Sequence, residues 1–458
     1  MTKPSYIART GRVQDWMDDP EQRYPVSCTV FDVADSCSDP EGIEDALKFT
    51  SVALRGGAGV AIHLSKLRPS GTDNGKGLIS SGPVSFAKLF SMMNEVLRRG
   101  GKYRNGACTL HISLDHPDIV EFIQAPRHEL PWAKRCVDID QDMWDNFEHK
   151  EVLYEGIKSG DIWLCKTRKD AQGKELFSNV CLEVFLHSRG TCLLQHVALS
   201  ACEFNDIPQA FSEAMASLCE LHARTGVEAS GQYLDPTTDR QVGLGMLGLA
   251  NLLRRNGVTY AQFGEALDQY HAGQDVKTAA FALVKQIALG VSRAATIARQ
   301  HGMHRAFCIA PTASCSFRQT DLDGFTATPE IAPPIARVVE RDSATMGVER
   351  YEYGDVEIAS EVTYPVFRRV ADGIMRILAS TGLLHGYSMN WWSDQVEMNE
   401  DFIAEWLRSP QTSLYYALQV NSDTQDKTDV YAAIDQDEVE DYLKGILTPN
   451  EMDCDCAQ

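Results

Sequence analysis

No run of eighteen consecutive apolar residues occurs in this chain of 458 residues, so a membrane-spanning helix is not expected. The opening Met1-Thr2-Lys3-Pro4-Ser5 lacks the apolar stretch of a secretory leader, which points to the cytosol. Bases are scarce relative to acids, 43 against 64, for a net charge of -21. With no Lys/Arg stripe either, a nucleic-acid backbone is excluded as the expected partner. No pair of CxxC motifs at zinc-finger spacing is present, so no structural zinc site is expected. Internal repeats and low-complexity tracts are also missing.

What is present is an ordinary soluble-enzyme composition, 44% hydrophobic and 23% charged, in a chain long enough for one large α/β barrel or two to three domains. Thirteen cysteines are spread along it, an odd number unlike a dense disulfide framework. Reduced thiols with selected roles fit better. A helix is expected from about 40 to 55, with Ile43, Ala46, Leu47, Val52 and Leu54 apolar, followed after Gly56-Gly57-Ala58-Gly59 by a buried strand over 60–64. A second helix is expected from Pro83 to Arg99, with Phe86, Leu89, Phe90, Met93 and Leu97 on one face. Further strands are expected at 107–113, 161–167, 180–185 and 306–310, and helices over most of 205–300. This alternation predicts an α/β architecture, best satisfied by a barrel. The expected division is one catalytic domain over 1–434 and an acidic tail over 435–458.

Ser178-Asn179-Val180-Cys181-Leu182-Glu183 alternates polar and apolar residues, so an extended segment would project the amide, the thiol and the carboxylate to one side. Such a trio can act on a sugar: the thiol gives up hydrogen, the carboxylate takes a hydroxyl proton, the amide holds hydroxyls. A buried strand with an inert Cys is the alternative. Cys454 and Cys456 stand near the chain end, where a mobile dithiol could exchange with a buried disulfide. Cys28 and Cys192 each lie at the edge of an apolar segment and are candidate targets. Pro311-Thr312-Ala313-Ser314-Cys315-Ser316 follows a strand-like run and offers hydroxyls and N–H groups suited to phosphate. Tyr415-Tyr416 is either one core and one surface residue or a stacked pair able to relay an oxidising equivalent.

As an ordered set from about Tyr24 to Cys456, these segments resemble the catalytic subunit of ribonucleotide reductase. Ser81 to Phe86 and Arg240 to Ala250 are similar to further family segments. The resemblance implies a ten-stranded α/β barrel with the radical cysteine on an internal loop. It makes Cys181 the thiyl-radical residue, Asn179 and Glu183 its partners on the ribose hydroxyls, and Cys28 with Cys192 the reducing dithiol. Ser27 and the loop 311–316 would hold the substrate phosphates, and Cys454 with Cys456 would regenerate the dithiol from a thioredoxin- or glutaredoxin-like reductant. Tyr415 and Tyr416 imply a class I-like enzyme, whose radical comes from a separate ferritin-like dimetal subunit; no cofactor or metal would then be bound by this chain.

The rival within the family generates the radical from adenosylcobalamin. Few residues precede Cys28, so a minimal member of the kind encoded by phages, without the N-terminal ATP cone, is expected, located in a host cytoplasm and possible as a homodimer. The resemblance implies that the loops 68–77 and 98–106 sit where relatives have their two base-selecting loops. Outside the family, a non-radical thiol–disulfide oxidoreductase and a binding module are alternatives; the former lacks a CxxC at a helix start.

Overall fold

The computed structural model describes residues 5–20, 24–73, 75, 77–97, 107–343 and 347–420. The strands of the first half are β1 (Ile7–Arg9), β2 (Cys28–Asp32), β3 (Gly59–His63), β4 (Cys108–Ser113), β5 (Lys134–Ile139), β6 (Ile162–Lys166), β7 (Arg168–Lys169), β8 (Glu175–Ser178) and β9 (Phe185–Leu186). Those of the second are β10 (Leu194–Ala198), β11 (Gln241–Leu247), β12 (Arg305–Ile309), β13 (Val338–Ser343), β14 (Gly347–Glu352), β15 (Leu384–Tyr387), β16 (Trp391–Trp392), β17 (Ser413–Leu414) and β18 (Ala417–Leu418).

Two sheets form the body, ordered β17-β6-β5-β4-β3-β2 and β1-β10-β11-β12-β15. Strands β2 to β6 are mutually parallel, as are β10, β11, β12 and β15. Helices cover their outer faces, so these strands are apolar on both sides and read as short continuous runs such as Val60-Ala61-Ile62. The sheets meet antiparallel where Cys192 N–H donates to the Cys28 carbonyl (2.9 Å) and Arg189 N–H to that of Val30 (2.8 Å). Opposite, Tyr415 N–H donates to Met389 O (2.9 Å) and the Ser413 hydroxyl to Tyr387 O (2.6 Å). The two sheets thus surround a common interior, the α/β barrel expected from the alternation.

The expected helices form at Ile43–Arg55 and Gly82–Val96. In the second, Phe86, Phe90, Met93 and Leu97 of the expected face pack on the core and only Leu89 is exposed, while Val84, Ala87, Ser91 and Asn94 are also buried. The two polar ones are held there by Trp132: Ser91 Oγ accepts from its N–H (3.1 Å) and Asn94 Nδ2 donates to its carbonyl (2.7 Å). The helical stretch 205–300 is interrupted by β11, a central strand whose glycines let it approach its neighbours: a Cβ on Gly243 would meet the Cys308 sulfur at 2.7 Å, and one on Gly245 would meet the His196 ring at 2.6 Å. Helix Ala279–Gln300 has the length and apolarity to cross a membrane, yet its apolar face is buried in the protein core.

The strand expected over 180–185 does not form. β8 ends at Ser178, the chain turns through 179–184, and only Phe185 and Leu186 resume as β9. Leu182 adopts φ +67, a left-handed conformation that breaks extension, and Leu182 N–H donates to Asn179 O (3.1 Å). Alternation of residue types arose here without a strand.

Candidate active site

The β8–β9 hairpin enters the barrel and places its turn among inward-facing side chains. Cys28 and Val30 of β2, Ala61 of β3, Cys136 of β5, Trp163 and Cys165 of β6, Leu194 of β10, Cys308 of β12 and Ala310 just after it pack with Val180, Cys181 and Leu182. These positions alternate along each strand, as a pleat requires. The turn is tied to both sheets. Thr109 Oγ1 donates to Val180 O (3.2 Å) from one; from the other, His385 Nδ1 accepts from Phe185 N–H (3.1 Å) and Arg305 Nε donates to Phe185 O (3.0 Å). His385 Nε2 donates to Val242 O (3.0 Å), so the ring is a neutral tautomer; burial and the charges of Arg305 and Arg168 hold its pKa well below the usual histidine range.

Asn179, Cys181 and Glu183 do converge, through the turn instead of a strand face. Asn179 Nδ2 donates to Glu183 Oε1 (3.0 Å), and Val184 N–H donates to Asn179 Oδ1 (3.0 Å), which fixes the amide orientation. The Cys181 thiol meets the Cys28 thiol and the Tyr415 hydroxyl, and Cys28 in turn meets Cys192. All four are buried. Ser388, which nothing in the sequence singled out, places its hydroxyl against Glu183 Oε2 (3.1 Å) and the Cys181 carbonyl.

Burial sets the protonation states. It raises the Glu183 carboxyl to about 8, assisted by the Cys28 thiol and opposed by the Asn179 and Ser388 hydrogen bonds. Burial likewise pushes Cys181 and Cys192 well above the usual thiol value, with contacts to Cys28 adding to the effect. Near neutral pH these groups are S–H donors, not thiolates.

Tyr415 is buried and Tyr416 half-buried, their rings 4.3 Å apart at 64°. The pair is one core residue and one nearer the surface, with the rings in edge contact and not stacked. Trp163, also missed in the sequence, lies 4.4 Å from Tyr415 and 5.0 Å from Tyr416. Loop 311–316 follows β12 and turns into the short helix Ala313–Phe317; Thr312 Oγ1 accepts from Glu330 N–H (2.7 Å). Ser27 Oγ is buried with no hydrogen-bond partner among the described residues. Cys454, Cys456, the boundary at 434/435 and the loop 98–106 lie outside the described residues.

Residues 26–153 match the barrel domain of ribonucleotide reductase. Over those residues the chain is similar to the ribonucleotide reductase family. A vitamin B12-dependent ribonucleoside-diphosphate reductase of Thermoplasma acidophilum is 33% identical over 152 residues, covering 30% of this chain and 19% of the relative. One from Mycobacterium tuberculosis is 35% identical over 276 residues, covering 48% of this chain and 38% of the relative. The chain thus spans well under half the length of these relatives. The class Id ribonucleotide reductase alpha subunit of Actinobacillus ureae shares the fold with a TM-score of 0.62 at 17% identity, over 90% of this chain and 87% of that one. The family match covers β2 to β5, the strands that supply Cys28, Ala61, Thr109 and Cys136 to the interior.

Proposed function

We propose that the chain reduces ribonucleotides, diphosphates by preference, to 2′-deoxyribonucleotides by thiyl-radical chemistry. The observation that carries this reading is the contact of the Cys181 thiol with both Cys28 and Tyr415, buried inside the barrel, on the turn that also presents Asn179 and Glu183. An oxidising equivalent removes the hydrogen atom of the Cys181 thiol. The Cys181 sulfur then takes hydrogen from C3′, and Glu183, once ionised, takes the 3′-hydroxyl proton. The 2′-hydroxyl leaves as water with a proton from one of Cys28 and Cys192, the other supplies the hydrogen that C2′ gains, and the pair, having given two electrons, ends as a disulfide while Glu183 returns its proton to the 3′ oxygen. Cys181 returns its hydrogen to C3′. Asn179 holds the hydroxyls, and its own amide is oriented by Val184 N–H.

Protonated, buried thiols argue against the non-radical exchange enzyme, which needs a thiolate. Substrate phosphates are assigned to Ser27 and loop 311–316, a reading supported by the unpartnered Ser27 hydroxyl. Regeneration of the dithiol is assigned to Cys454 and Cys456 with a thioredoxin-like reductant. For the radical source, the aromatic contact running from Cys181 through Tyr415 to half-buried Tyr416 favours delivery from a ferritin-like dimetal subunit. The vitamin B12-dependent relatives favour the second reading, adenosylcobalamin.

The deciding experiment measures deoxyribonucleotide formation from ribonucleoside di- and triphosphates with dithiothreitol. It compares the chain plus adenosylcobalamin with the chain plus a dimetal partner, and includes Cys181→Ser in both arms. Reduction that survives Cys181→Ser overturns the proposal; nucleotide binding is expected to persist in that variant.

A further inference from the structure

Two buried histidines and a half-buried aspartate stand apart from the chemistry above, on adjacent strands of the first sheet. His63 of β3 is opposite His111 of β4, and Asp138 of β5 lies on the same inward face. The two imidazoles stack, 4.1 Å between centroids and 22° between planes. Asp138 joins them, Oδ2 to His63 Nδ1 (3.2 Å) and Oδ1 to His111 Nδ1 (3.0 Å). On its far side, His63 Nε2 meets the main-chain carbonyl of Ser178 at 3.0 Å. Ser178 is the last residue of β8, immediately before Asn179.

The hydrogen-bond inventory fixes the proton count. A carbonyl oxygen only accepts, so Nε2 of His63 donates; an ionised carboxylate only accepts, so Nδ1 donates as well. His63 therefore carries both protons and a positive charge, balanced by Asp138. Burial alone would raise the Asp138 carboxyl, but the two imidazoles outweigh it and hold it well below the usual range. His111 is lowered to about 4 by burial and by His63, and so stays neutral. The cluster is neutral as a whole, which makes its burial tolerable.

The ligand atoms of the three side chains also lie within 4.8 Å of one another, close enough for one metal ion, so metal content is part of the test.

We propose that His63 is a positioning residue: an imidazolium clamped between Asp138 and the Ser178 carbonyl, fixing the root of the turn that carries Asn179, Cys181 and Glu183. This rests on the function proposed above, because the turn it positions is the one assigned to chemistry. The wall of the barrel holds the hairpin at its base through His63, while Thr109 and His385 hold it further along. His63 also packs on Phe177, 4.9 Å between centroids, so the side chain is held sterically too.

The test uses the full chain labelled with 15N-histidine, together with His63→Phe, His63→Gln and Asp138→Asn. In the unmodified protein, one resonance set with both ring nitrogens protonated is expected near neutral pH, absent in His63→Gln and converted to a neutral ring in Asp138→Asn. In reduction assays, His63→Phe should lower kcat by roughly 10- to 100-fold, the scale of a small misplacement, with KM much less affected. His63→Gln, whose amide can still donate to Ser178, should recover most of the loss. A neutral His63, stoichiometric bound metal lost in Asp138→Asn, or an unchanged kcat in His63→Phe would each overturn the clamp. Lack of turnover by the unmodified protein would count against the proposed function alone, because the histidine spectrum needs no substrate.

Discussion

The main-chain N–H of Cys28 points at the sulfur of Cys192 from 2.9 Å, although 164 positions separate them. The same two residues share a main-chain hydrogen bond, Cys192 N–H to Cys28 O. The contact exists because the edges of the two sheets run antiparallel at this seam. It presents two thiols to each other and to Cys181 without any local sequence relation.

This adjacency predicts that one disulfide links Cys28 and Cys192 after a single turnover in the absence of reductant. Thiol titration should fall by two groups, and peptide mapping should recover the crosslinked pair. Crosslinking of Cys28 to Cys308 instead would assign the reducing role elsewhere.

The raised Glu183 carboxyl sets a pH dependence. A general base must be ionised, so with a pKa of about 8 the rate kcat/KM should rise as pH increases from 6 and level off above 8. Ser388→Ala removes a hydrogen bond that favours the ionised form, so its profile should shift to higher pH. Glu183→Gln should cost on the order of 10²- to 10⁴-fold in kcat and flatten the profile. An unchanged midpoint in Ser388→Ala would remove Ser388 from this role.

Tyr415→Phe keeps the ring contacts with Trp163 and Tyr416 but deletes the hydroxyl at Cys181. Activity supported by a dimetal partner should vanish, while activity supported by adenosylcobalamin should be retained. Loss in both cases would make the hydroxyl part of the site itself.

Cys454→Ser with Cys456→Ser should leave a burst of one product per active site and stop repeated turnover with a thioredoxin-like reductant. Sustained turnover in a rapid-quench time course would end the shuttle assignment.

Much of the barrel was legible in the sequence because parallel strands covered by helices are short apolar runs between glycine stops, as at Gly59–His63 and Arg305–Ile309. The central strand β11 was not, since its glycines dilute the apolar signal within a helix-rich stretch. The segment Asn179 to Val184 reads as extended in the sequence, because periodicity records residue types and carries no sign of a positive φ at Leu182. Single residues such as Ser388, His385 and Trp163 have no spacing to announce them.

The inventory of the candidate site was therefore present in the sequence: an amide, a thiol and a carboxylate within five positions, two further cysteines, and paired tyrosines. Only tertiary structure decided that they meet, because the Cys28–Cys192 seam and the tethers on the hairpin join segments far apart in the chain. It also decided their protonation. Enclosure inside the barrel removes water, and the lost solvation keeps the thiols protonated and lifts Glu183 to about 8.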